Sequence, residues 1–134
     1  MTHPLIDQFR FTRTEWLRGL DGVQEDDASR HFGPMNSIGW IVGHLTWHEQ
    51  RYWLERAQSI VLFPELNQRF AYGSAMSTPS LKEMSDLWRT VTLTADPYLD
   101  GLTAETMLTD LMLNGQPIGQ SVGSALRRIT YHYW

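Results

Sequence analysis

The chain has 134 residues, of which 42% are apolar and 19% charged, enough for one hydrophobic core and too apolar for a disordered chain. Eleven Lys and Arg against fifteen Asp and Glu leave a net charge of −4, which argues against a nucleic-acid binder. Zero cysteines exclude disulfides, thiolate zinc sites, iron–sulfur clusters and a cysteine nucleophile, and are compatible with a reducing cytoplasm. Met1–Asp7 has neither the basic nor the apolar region of a signal peptide, and runs such as Ile60–Phe63 fall far short of the ~20 residues of a membrane span. One cytoplasmic domain over residues 1–134, with no membrane and no nucleic-acid partner, is the expectation.

From Pro4 to Leu20, Leu5, Phe9, Trp16, Leu17 and Leu20 recur at helical spacing, with Asp7, Gln8, Arg10, Arg13 and Arg18 on the opposite face. Pro4 suits the first turn, where its missing N–H costs nothing. Asp21–Pro34 is acidic, then turn-rich, and reads as a loop. A second helix opens at Asn36 or Ser37, either of which can cap it, and runs to about Ser59. Its stripes are Ile38, Ile41, Leu45, His48 and Tyr52, and beside them Trp40, His44, Trp47 and Arg51. Gly39 and Gly43 each cost about 1 kcal/mol of helix propensity, and close helix packing is the simplest reason for them.

Phe63–Ser77 is a long connection of the kind that is often functional. A third helix opens at Thr78-Pro79 or at Ser80, which has capping-box spacing to Glu83. Its stripe is Leu81, Met84, Leu87, Trp88, Val91, Ala95 and Tyr98, and Asp96-Pro97 should kink or end it. Asn114-Gly115 after Met107–Leu113 signals a small hairpin or an extended excursion. The last helix opens at Gln120 or Ser121, with Val122, Ala125, Leu126, Ile129 and His132 or Tyr133 on one face. It reaches Trp134 in mid-stripe with no cap, so a truncated last helix is expected. The expected fold is an all-α, up-down four-helix bundle with a long loop between helices 2 and 3 and a short hairpin before helix 4.

Of five histidines, His3 and His31 read as solvated. His44 and His48 are four apart, so they share a helix face and can touch one ion. Alone, the pair is better explained as partly buried, hydrogen-bonded histidines. His132, on the apolar face of the last helix, adds a third imidazole facing the bundle interior, where metal sites of helical proteins are built. Imidazole-rich sites suit Zn, Ni, Cu and Fe(II), and three ligands with an open position form a catalytic arrangement. Glu49 beside His48 can orient an imidazole or act as a general base; a solvated glutamate is the plainer reading. Trp40, Trp47 and Tyr52 are candidate pocket walls and equally good core residues. Trp53 and Trp134 would suit a two-fold interface, hence a homodimer.

The stretch Asn36–Glu49, with Trp40-x-x-x-His44-Leu45, resembles helix two of the DinB/YfiT-like superfamily, and Ala125–Trp134 resembles its last helix. The resemblance covers essentially the whole chain. It implies that His44 is the first metal ligand and His132 the first histidine of a closing His-x-x-x-His pair. The second would lie four residues on, beyond Trp134, and His48, one turn from His44, can substitute. Relatives include bacillithiol and mycothiol S-transferases and a maleylpyruvate isomerase, and a related domain occurs in ergothioneine-forming sulfoxide synthases. The resemblance therefore implies a divalent metal (Zn, Ni or Fe), a low-molecular-weight thiol, and transfer of that thiol to a small electrophile. The competing expectation is a non-catalytic metal- or ligand-binding protein of the stress-response type. Action on DNA, suggested only by the family's name, is opposed by the acidic charge.

Overall fold

The computed structural model describes residues 1–134. Helix α1 is Pro4–Leu20 and α2 is Glu25–Ala28; α3 is Ile38–Glu49 and continues as π-helical turns over Gln50–Arg56. Then come α4 (Leu66–Arg69), α5 (Leu81–Asp100), a 3₁₀ turn (Thr106–Leu108), strands β1 (Asp110–Leu113) and β2 (Gln116–Ser121), and α6 (Val122–Tyr133). Six α-helices and a two-stranded antiparallel sheet overturn the expectation of an all-α four-helix bundle. The physical reasons are local. Both connections read as loops contain a short helix that buries an apolar residue: Ala28 in α2 and Leu66 in α4, each fully buried. The segment before α6 pairs its backbone as a ladder instead of joining the helical layer.

Caps set the helix starts. Ser37, Ser80 and Ser121 each accept from a backbone N–H three residues on, at Trp40, Glu83 and Ser124. The α5 start has a second cap from outside its own sequence. Both carboxylate oxygens of Glu25 in α2 accept backbone N–H groups, from Leu81 and Lys82 at 2.8 Å each. Those bonds hold the Glu25 carboxyl below its usual range. Helix α5 runs through Pro97 and ends three residues later, at Asp100. The hairpin turns at Asn114 (φ 51°) and Gly115 (φ 75°), two consecutive left-handed residues, as a tight two-residue loop requires. Leu113 pairs with Gln116, yet Asp110 pairs with Ser121, so β2 bulges; Gly119 (φ 70°) lies within the bulge.

The core lies where α3 packs on α5 and α1 on α6. Trp53 belongs to it and is fully buried, which removes it as an interface residue; Trp134 is exposed. Gly39 and Gly43 are explained by close approach. A side chain at Gly39 would run into the Pro79 carbonyl, and one at Gly43 would sit 2.7 Å from the Phe70 ring and 2.9 Å from the Met84 sulfur. Gly39→Ala is therefore predicted to destabilise the protein by about 1–3 kcal/mol, although alanine favours helix by about 1 kcal/mol. A urea melt checks this; a gain in stability would refute the packing account.

Candidate metal centre

Two neighbouring residues of α3 divide the interior. Glu49, with no exposed surface, faces Arg13 of α1, which makes a two-pronged contact: Nε to Oε1 at 2.9 Å and Nη2 to Oε2 at 2.6 Å. Arg13 Nη1 also donates to Asp96 of α5 at 2.7 Å. Tyr133 of α6 donates its hydroxyl to Glu49 Oε1 at 2.8 Å and accepts from Trp88 Nε1 of α5 at 2.6 Å. Burial is the largest single effect and works against the charge on Arg13, but Glu49, Tyr133 and Asp96 together outweigh it and hold the guanidinium above its ordinary range. Burial, then the Glu49 charge, pushes the Tyr133 phenol well up. All four long helices meet at this network. Glu49 thus stands in a buried ion pair, apart from the histidines.

His48 is on the other side. It comes together with His44 and His132, and one ring nitrogen from each lies within 4.8 Å of the others. His44 Nδ1 is 2.6 Å from the Phe70 carbonyl. A carbonyl only accepts, so Nδ1 carries the proton and Nε2 presents a lone pair. That Nε2 is 3.0 Å from His132 Nε2, close to the roughly 3.3 Å separating two imidazole nitrogens on one tetrahedral zinc. His48 Nδ1 is buried with no hydrogen-bond partner, a costly state for a ring nitrogen. The donor set, the fixed His44 tautomer and the orphaned His48 nitrogen all fit a divalent metal. Satisfied core histidines would leave no such orphan. The histidines outside the cluster have local roles: His3 caps α1 and His31 bonds the Met35 carbonyl.

Trp40 and Trp47 both stack on the His44 ring, at centroid distances of 4.9 and 5.5 Å. Trp40 Nε1 donates to the Ala75 carbonyl and Trp47 Nε1 to Asn67 Oδ1, tying both to the long connection after α3. Tyr52 lies 5.7 Å from His48. His48, Tyr52 and His132 line an open cleft of about 720 Å³, closed on one side by Gly119 and Gln120 of the hairpin. Arg51, Arg56 and Arg128 line it too. These three were missed in the sequence, although the spacing was there: Arg51 and Arg56 are three and eight residues after His48, and Arg128 is four before His132.

Burial comes first among the effects that lower all three imidazole pKa values. For His48, held down to about 2, the effects of His132, His44, Arg51 and Arg56 follow. For His132 they are His44 and Arg128, while the Phe70 carbonyl partly offsets burial at His44. All three rings are therefore neutral, as metal ligands must be.

Such a protein is a helical one in which two helices bring three imidazoles together, able to hold one metal ion with a side open to a cleft. The chain belongs to the DinB superfamily, whose family model matches residues 5–134. No curated protein matches it. No helix is long and apolar enough to cross a membrane.

Two predictions follow from the opposite sides of α3. Glu49→Ala strands a buried guanidinium and should cost about 3–5 kcal/mol, whereas Arg13→Met with Glu49→Leu should recover much of it; denaturant melts of the three proteins decide. In the metal-free protein, falling pH protonates the unfolded histidines from about pH 6.5 downward, while the folded His48 stays neutral and the folded His44 and His132 take up their protons at lower pH than in the unfolded chain. Stability should therefore drop on acidification. Tm should be lower at about pH 5.5 than at about pH 7.5, and His48→Gln should narrow the gap. An unchanged gap would assign the drop to other groups.

Proposed function

We propose that the protein is a divalent-metal-dependent enzyme that transfers a low-molecular-weight thiol to a small electrophile in the cleft over His44, His48 and His132. The observation that carries this reading is the convergence of three neutral imidazoles, one with an orphaned nitrogen, beside an open cleft. The donor set suits Zn, Ni or Fe(II). Bound there, the metal supplies Lewis acidity that lowers the pKa of a thiol. The chain has no cysteine, so the thiol comes from outside.

The residues of the chain do the rest. The Phe70 carbonyl aims His44 Nε2 at the site, Trp40 and Trp47 hold the ring between them and exclude water, and Tyr52 walls the cleft beside His48. A sulfur–carbon bond forms as the leaving group departs with its electron pair, and the thiol proton passes to water in the open cleft. Glu49 is a positioning residue in this scheme, because Arg13 and Tyr133 occupy its carboxylate.

The test is elemental analysis of protein purified without chelator or His-tag. Wild type should carry about one equivalent of metal per chain, and His44→Ala and the more exposed His132→Ala should lose it. Conjugation of a small thiol to an aryl halide should fall on the order of 100-fold in both variants. The fold should survive, since the apolar core carries it. No metal in wild type, even after reconstitution, would refute the proposal and leave a non-catalytic ligand-binding protein.

A further inference from the structure

The whole chain carries a net charge of −4, yet the cleft beside the histidines is lined by three arginines and no carboxylate. None of Arg51, Arg56 and Arg128 takes part in an ion pair, as is also true of Arg30, Arg89 and Arg127 outside the cleft, whereas Arg10, Arg13, Arg18 and Arg69 all do; what sets the three apart is their convergence on one cleft. Two of the three are held by aromatic rings. The Arg51 guanidinium lies 4.8 Å from the Trp47 ring centroid and that of Arg56 lies 5.8 Å from the Tyr52 centroid. Stacking of this kind orients a guanidinium without neutralising it, so its donors stay free for an anion. Arg51 and Arg56 come from the π-helical turns of α3, and Arg128 lies one turn before His132 on α6. The cations thus reach the cleft from the same two helices as the imidazoles, with Gln120 and Ser124 adding uncharged donors. Like charges gathered in a partly desolvated cleft repel one another, and that arrangement is relieved when an anion fills it.

We propose that Arg51, Arg56 and Arg128 form the anion-binding half of the substrate cleft, which takes a small molecule bearing carboxylate or phosphate oxygens beside the group presented to the histidines. The proposal deepens the thiol-transfer reading and rests on it for the identity of that second group. The anionic oxygens can belong to the thiol or to the electrophile. Arginine suits either, because its planar fork matches both carboxylate and phosphate.

Calorimetric titration tests this with three probes: mercaptosuccinate, succinate and 2-mercaptoethanol, each on zinc-loaded and on metal-free protein. Mercaptosuccinate should bind the zinc form at least about tenfold more tightly than 2-mercaptoethanol. Substitution of Arg51, Arg56 or Arg128 by Gln should each weaken mercaptosuccinate by about tenfold, leaving zinc content and 2-mercaptoethanol binding unchanged. Arg127→Gln, on the same helix but outside the cleft, should change nothing. Succinate binding that survives removal of zinc and is lost in the arginine variants establishes the anion cleft by itself, even if the metal reading fails. Succinate no tighter in wild type than in the three variants, with mercaptosuccinate no tighter than 2-mercaptoethanol, would overturn the proposal while leaving the metal centre intact.

Discussion

The contact on which the rest of the structure depends is the buried pair Arg13–Glu49 with Tyr133. Two charges withdrawn from water are stabilising only where geometry and extra hydrogen bonds answer nearly every donor and acceptor. Here the fork of Arg13 covers both oxygens of Glu49, Asp96 takes a further N–H, and Tyr133 relays to Trp88. That stringency fixes the rotation of α3 and α6 about their own axes. Each helix carries a histidine next to its network residue: His48 immediately precedes Glu49 and His132 immediately precedes Tyr133. A turn of either helix that broke the network would also separate the imidazoles.

This arrangement explains why one side of α3 can afford an incomplete set of partners. Behind it, Glu49 is fully matched; in front, His48 keeps a nitrogen with nothing to bond and His44 presents a lone pair to His132. An orphaned buried nitrogen and a cluster of neutral imidazoles with lone pairs turned toward one another are unfavourable on their own. They persist because the cost is small beside the packing and hydrogen bonding that hold the two helices in register.

The long helices and their caps were legible because they follow from spacing: Ser37, Ser80 and Ser121 cap where a small hydroxyl precedes an apolar stripe, and Asn114-Gly115 turns the hairpin. His44, His48 and His132 were legible as shared-face positions. The partner of Glu49 was not, since helical phase gives a side chain's direction without saying what the facing helix presents there. Arg13 lies 36 residues earlier and looked like part of a solvated face. The short helices α2 and α4 escaped for a related reason: each is four residues long with a single buried residue, Ala28 or Leu66, too few for a periodic signal. Trp53 misled because a tryptophan is at home both in a core and at an interface.

The departures from regular helical architecture are also the places where the cleft is made. The bulge in β2 brings Gly119 and Gln120 to its rim, and the π turns that end α3 carry Arg51, Tyr52 and Arg56 into its wall. Irregular backbone of both kinds is found disproportionately at functional sites, because it aims side chains where a regular ladder cannot. The same four long helices therefore hold two electrostatic environments on either side of α3. One is a closed network in which every charge has its counter-charge. The other is an open cleft of neutral imidazoles and three arginines that make no ion pair.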